Sequence, residues 1–368
     1  MDKKGLIFLF IVALLFFTGL LMVFNTTSAE ILDRAMSRDV YYAFSRQLLY
    51  AVVGFLCAIG VCFAGYQTVL RLSGPLLLFF SLLLLLVFIP GVGLQVNGAR
   101  RWINLFGNSF QPSEFVKYLI PLYYIHKITS LQKPIDLKTF LRLMVMICLP
   151  MGLILIEPDN GTVLIIGVTL IVLCLLTRIR WTFWVLPLLL IAVVGGGVAM
   201  QTQHVPDRIR VFLHPELDLL GKGHQPHQSK IAAGSGCFWG KGLGESLQKM
   251  NYLPEARSDY IAAIFAEEFG FLGISIMIVL YMTIGFLGYF MAVYCKSICA
   301  FYVISIFVFL ICFQAFFNLG VVSGLLPSKG MNLPFFSQGG SSLLAQFLCV
   351  GIILSINKDS LKIYEKNS

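Results

Sequence analysis

Stretches of about 20 apolar residues recur from one end of this chain to the other, each long enough to cross a bilayer core of ~30 Å as a helix. No other feature narrows the possible folds so much. The runs are continuous and do not alternate with a period of two, which argues against a transmembrane barrel. Charged residues make up 12% of the chain, about half the share usual in a soluble domain, so lipid is the main solvent. The sequence therefore predicts an all-α polytopic membrane protein of about ten transmembrane helices, one domain over residues 1–368. The expected spans are 5–24, 47–64, 75–92, 113–128, 140–157, 160–176, 181–200, 272–294, 298–322 and 338–356. Lys3 and Lys4 precede the first run, but its length and the spans behind it read as an uncleaved helix.

Basic residues orient the bundle. One set of segments holds Lys3, Lys4, Arg71, Lys127, Lys133, Lys138, Arg142, Arg178, Arg180, Lys296, Lys358, Lys362 and Lys366. The short loops of the other set hold Arg34, Arg38, Arg46, Arg100, Arg101 and Lys329. The positive-inside rule then puts both termini in the cytoplasm and the long loop at 201–271 outside. Topology accounts for the net charge of +9, with no nucleic-acid partner required. The nine cysteines show neither CxxC nor metal-ligand spacing and read as small apolar residues. His224 and His227 form an HxxH pair in a glycine-rich loop, without a third ligand beside it. No transporter-like internal repeat and no nucleotide-binding glycine motif is present.

Polar residues gather at the outer ends of the spans. The stretch Gly240–Gly270 holds Glu245, Glu255, Asp259, Glu267 and Glu268, with Asp218 upstream, in a chain poor in acids elsewhere. Glu114 and Lys117 lie three apart at a helix start after Gln111-Pro112, with Ser113 as a candidate cap. They are a structural ion pair or substrate contacts. Arg46 opens the second span, and Asn97-Gly98 suggests a hairpin turn before Arg100, Arg101 and Trp102. In Glu157-Pro158-Asp159-Asn160, a helix ends and another begins; Asn160 is the favoured cap and Asp159 a functional candidate. Pro327, Gly330, Pro334, Gly339 and Gly340 break regular structure within 323–342. Such backbone is tolerated at membrane depth only against protein or water, so this loop is expected to re-enter and line an outer cavity with Lys329, Ser337, Gln338, Ser341 and Ser342.

Taken together, RQLLY at 46–50, NGARRWI, QPSEFVK, EPDNGT, RIRVFLHPELD, GKGHQ, GKGLGESLQKMNYLPEARSDYI, AEEFG and LPSKGMNLPFFSQGGSS resemble the SEDS proteins (shape, elongation, division and sporulation). The two main branches of that family are FtsW and RodA, and the GLGESLQK…LPEARSDYI form is more similar to FtsW. The resemblance runs nearly the whole chain. Departures are His224 where Tyr is usual, Cys237 where a second glycine is common, Arg257 where His is frequent and Gln338 where Tyr is typical.

The resemblance implies a peptidoglycan glycosyltransferase of the bacterial cytoplasmic membrane, acting at the division septum. It would polymerise lipid II on the outer face, beside a class B penicillin-binding protein and other divisome or elongasome membrane proteins. Asp259 matches the family's catalytic acid. The chemistry suits one carboxylate: a sugar hydroxyl is a poor nucleophile and needs a positioned base. Diphosphate is a good leaving group and needs positive charge more than an acid. Candidate substrate contacts are Arg46, Arg100, Arg101, Glu114, Lys117, Asp159, Arg208, Arg210, Lys249, Glu255, Lys329 and Ser337. No cofactor is certain; a divalent cation, Mg or Mn, could share the work with these cations. Asp259 lies near an expected helix start, where the macrodipole favours its ionised form. Glu255, Glu267 and Glu268 are the other candidates for the base. The alternatives are a lipid II transporter or flippase, and a scaffold that recruits the transpeptidase. A flippase would need ionisable residues around a midplane cavity, whereas here they cluster at outer ends.

Overall fold

Helices form where the apolar runs predict them. The structure, a computed structural model, describes residues 3–33, 41–96, 99–105, 107–131, 133–185, 187, 189, 212, 221, 223–250 and 252–365. In chain order the helices are α1 (Lys3–Asp33), α2 (Tyr42–Ala64), α3 (Tyr66–Leu86), α4 (Ser113–Thr129), α5 (Leu137–Ile156), α6 (Asn160–Leu176), α7 (His224–Ser235), α8 (Ile261–Val293), α9 (Ile298–Val322) and α10 (Gly340–Glu365). Among the described residues, seven of them (α1, α2, α3, α5, α8, α9 and α10) are long and apolar enough to cross a membrane, and α6 is a shorter apolar helix. The chain is a multi-pass, all-α membrane protein. The expected span at 181–200 falls mostly outside the described residues, as do Arg208 and Arg210.

Several assignments differ from expectation, and α1 and α10 run past their expected ends to Asp33 and Glu365. α3 begins at Tyr66, because Gly65 alone turns the chain: at φ 82° it ends α2, its N–H bonding Val61 O at 3.0 Å. α8 begins at Ile261, well before the expected 272, because its two glutamates are neutralised by partners described below. The histidine pair lies in the helix α7 and not in a loop.

Small residues set the closest helix contact. Ala51, Gly54 and Ala58 form one buried face of α2 against α10. A Cβ at Gly54 would meet the Phe347 ring at 2.9 Å, and one at Gly351 would meet Ala58 O at 2.7 Å. Without a hydrophobic drive between helices in lipid, such close backbone approach is what holds them together.

Between α3 and α4 the chain leaves helix altogether. β1 (Gly93–Val96), β2 (Ala99–Leu105) and β3 (Asn108–Phe110) form an antiparallel sheet in that order. β1 pairs with β2 down to Val96↔Ala99, on either side of the expected turn at 97–98, itself outside the described residues. Residues 323–339 are also irregular yet largely buried, with Leu333, Phe335 and Phe336 inside. Side-chain amides take up their backbone groups: Gln47 from Gly339 N–H and to Ser337 O, Gln346 from Phe335 N–H, Gln314 to Asn332 O, and Asn318 to Met331 O. That is how non-helical backbone survives beside the spans.

Candidate active site

A polar cavity of about 500 Å³ opens where the sheet, α2, α4, α6, α9 and the irregular segments meet. Its walls include Asp259, Asp159, Glu255, Arg101, Lys117 and Lys329. The sequence spreads these residues from Arg101 to Lys329, and the fold brings them to one space.

Asp259 sits two residues before α8, in a tight turn where Ser258 N–H and Tyr260 N–H both bond Glu255 O. Its carboxylate lies against Gly330: a Cβ there would come within 2.8 Å of Oδ2. Its own carbonyl accepts from Asn318 Nδ2 at 2.8 Å, and the same nitrogen donates to Met331 O at 2.7 Å. One buried amide on α9 thus fastens the aspartate's backbone to the segment that covers it. Burial, with Glu255 and Asp159 adding to it and Arg101 opposing, raises the Asp259 carboxyl to about 7. The helix-start field expected to keep it ionised is outweighed by loss of water.

Asp159 is nearly buried and caps α6. It accepts from Thr162 N–H at 3.3 Å and Thr162 Oγ1 at 2.8 Å, and from Gln111 Nε2 at 3.2 Å. The expected cap Asn160 is instead the first residue of the helix. Ser113 makes no cap on α4, because it is the first residue inside the helix and Pro112 holds the cap position; its hydroxyl donates to Asp159 Oδ2 at 3.3 Å. Arg101 steadies this hairpin, donating through Nε to Glu157 O at 3.1 Å and through Nη to Pro158 O. The Glu157 carboxyl is fully buried, with neither oxygen partnered among the described residues. Burial, with Asp159 adding to it and Arg101 opposing, raises it to about 8, so at neutral pH it is mostly an uncharged acid.

Lys117 and Glu114 pair at 2.8 Å, and Lys117 also donates to Gln314 Oε1 at 2.9 Å. Arg46 donates to Asn108 Oδ1 at 2.6 Å and to the Tyr42 hydroxyl at 2.8 Å, tying α2 to the sheet at the rim. Lys329 lies 6.0 Å from the Phe317 ring. Trp102 also lines the cavity.

Three candidates lie away from the cavity lining. Arg100 is exposed and off the cavity, whereas Arg101 is the unpaired residue of a β-bulge between the pairs Leu94↔Trp102 and Gln95↔Arg100, which turns it to the cavity wall. Lys249 is buried in a separate cluster, where its ammonium bonds Glu268, Asn25 Oδ1 and Gly244 O, at 2.7–2.8 Å. Ser337 is buried and its hydroxyl accepts from Leu333 N–H at 2.8 Å. Glu267 and Glu268 are likewise held in place: Glu267 accepts from Lys241, Ser246 and two backbone N–H groups, Glu268 from Lys249 and Asn25. The residues the sequence reading missed are Gln314 and Asn318. The available signal was two amides four apart inside the apolar run of α9.

The FtsW/RodA/SpoVE family, described as cell cycle protein, matches residues 6–362. The chain belongs to that family. Among FtsW/RodA/SpoVE relatives, the probable peptidoglycan glycosyltransferase FtsW of Trichlorobacter lovleyi is 36% identical over 363 residues, covering 96% of this chain and 93% of its own. The protein of the same name from Coxiella burnetii is 38% identical over 347 residues, 92% of each chain. Stage V sporulation protein E of Bacillus subtilis is 34% identical, covering 97% of this chain and 98% of its own. Among solved structures, a chain from a study of polymerization and crosslinking by a peptidoglycan synthase complex aligns with a TM-score of 0.76 at 25% identity, covering 96% of this chain and 97% of that one. The rod shape determining protein RodA of Thermus thermophilus aligns at 0.68, also at 25% identity, covering 96% of each. In this member of the family, no group of three or more His, Cys, Asp or Glu side chains converges as a metal cage among the described residues. Among the described residues the donor set does not fit a cation held by protein ligands alone.

Proposed function

We propose that this chain is a peptidoglycan glycosyltransferase that joins lipid II units into glycan strands, with Asp259 as general base. The observation that carries the reading is a carboxyl held near neutrality on the wall of a polar cavity large enough for sugar. A base with that proton affinity can take the proton of an attacking 4-hydroxyl as the new glycosidic bond forms and undecaprenyl diphosphate leaves. Arg101, Lys117 and Lys329 supply positive charge on the same cavity, and Arg46 stands at its rim. They would receive the departing diphosphate by charge-assisted hydrogen bonds. Arg208 and Arg210 would join them from the long loop.

The relatives' names support the activity, and the synthase-complex neighbour supports work beside a class B penicillin-binding protein. The setting is the bacterial inner membrane, with termini cytoplasmic, the cavity on the outer face and cell division as the process. The test is lipid II polymerisation by the purified chain with its transpeptidase, wild type against Asp259→Asn. The variant keeps the shape and loses the basicity; a normal rate from it would end the assignment. Lipid II crossing vesicles without polymerisation would favour a flippase instead.

A further inference from the structure

The described residues of segment 237–252 are built partly inside out. Its polar residues Ser246 and Lys249 are buried on Glu267 and Glu268, while Lys241 and Glu245 stay at the surface. Its large apolar residues Phe238, Trp239, Leu243, Leu247, Met250 and Tyr252 are exposed, Trp239 by 76%. A patch of this kind on a water-facing loop marks contact with something apolar.

The position of the segment says what that is. α8 breaks at Gly270, which has φ 65° and ψ −163°. The break frees backbone groups on both sides, and the segment takes them up. Lys241 N–H and Gly242 N–H bond Glu267 O and Glu268 O, each at 3.0 Å. Phe271 N–H and Leu272 N–H bond Cys237 O and Phe238 O, at 2.9 and 3.2 Å. Phe238 stacks on Phe271 with ring centres 5.9 Å apart. Phe271 in turn heads an exposed apolar row that continues through Ile276, Val279, Met282, Phe286 and Tyr289. That row is the lipid face of a span. From Phe271 to Val293 the helix runs about 34 Å at 1.5 Å per residue, close to the ~30 Å of hydrocarbon. The hydrocarbon boundary therefore falls at Phe271, and Phe238 and Trp239 are fixed at the same level. Tryptophan favours that depth because its ring is apolar and its N–H stays wet.

We propose that residues 237–252 form a collar seated in the interfacial layer of the bilayer on the cavity side, with phospholipid as its partner. The collar clasps the break in α8, and through the short helix 261–269 it braces the turn that carries Asp259. The occupant is lipid because Trp239 and Phe238 join the patch to the lipid-facing row of α8 through the stack on Phe271.

The test uses full-length protein without partners in phospholipid nanodiscs, with Trp239 as its one tryptophan after Trp102→Phe, Trp181→Phe and Trp184→Phe. Lipids brominated high on the acyl chain should lower its emission roughly twofold, as expected for an interfacial ring, while acrylamide should quench it weakly. Emission untouched by bromolipid and freely quenched by acrylamide would overturn the proposal. So would protection from acrylamide that appears only when a partner protein is added. Should the triple variant fail to fold, a nitroxide on Cys237, the other cysteines replaced, gives the same answer: greater collision with oxygen than with a water-soluble nickel complex supports the collar, and the reverse overturns it.

Discussion

At Asp259 two requirements pull the proton in opposite directions. To act as a base the carboxyl must be ionised, yet burial, Glu255 and Asp159 raise it to about 7, against the opposing charge of Arg101. The sign of the pH dependence follows. Below about pH 7 the acid form dominates, and the turnover rate should fall close to tenfold per pH unit; above about 8 it should level off. Rates measured from acid to alkaline pH at saturating lipid II check this, and a flat acid limb would contradict it. Asp259→Asn should lose about 10²–10⁴-fold in rate, the usual worth of a positioned base. The variant should also be the more stable protein at pH 8. The folded carboxyl is raised, so ionisation removes stability as pH climbs from the unfolded value through about 7, and asparagine has nothing to ionise. The melting gap between variant and wild type should close as pH falls toward 4. Asn318 holds the carbonyl of the same residue and that of Met331. Asn318→Ala should cut kcat by about 10- to 100-fold with little change in KM, because a displacement of an ångström or less is enough to spoil a proton transfer. An unchanged kcat would reduce this amide to packing.

Among the elements, those governed by apolar length were the ones readable in advance. α6 and α9 fall where their runs lie, because nothing but lipid and neighbouring helices decides them. The sequence predicts α8 too short, since Glu267 and Glu268 look like a loop until Lys241 and Lys249 are seen to neutralise them from about twenty residues away. The sheet at 93–110 was visible only as a possible turn, its strands being too short for a clear period. That is also why residue type does not separate Arg100 from Arg101: their separation depends on the β-bulge at Arg101. Asp259 came from motif resemblance, whereas Gln314 and Asn318 were hidden because an amide in an apolar helix shows its purpose only through what it touches. The break in α8 gives this scale its own prediction. Gly270 adopts a backbone region that is essentially glycine-only, and a Cβ there would lie 2.3 Å from Gly240 N. Gly270→Ala should cost at least the ~1–3 kcal/mol of backbone strain, read as a lower melting temperature, and should loosen protease protection of 237–252. A variant as stable as wild type would mean the clasp is not needed.

For the whole molecule, the asymmetry of charge and the asymmetry of the cavity must agree. The cavity, with Asp159, Asp259 and Lys329, opens at one end of the bundle. Arg178 and Arg180 follow the far end of α6, whose near end carries the Asp159 cap. If basic loops mark the cytoplasm, the cavity opens outside, and the proposed lipid-linked substrate must reach it from there. The consequence can be measured in intact cells with a variant lacking all nine native cysteines. A cysteine at Lys329 should react with a membrane-impermeant maleimide added outside, whereas one at Arg178 should react only after the membrane is opened. On the proposed function and topology, binding of lipid II should slow the first reaction and leave the second alone, because Lys329 lines the cavity and Arg178 follows the far end of α6. The opposite labelling would turn the protein over, placing the base on the cytoplasmic side, where extracellular glycan strands could not be built.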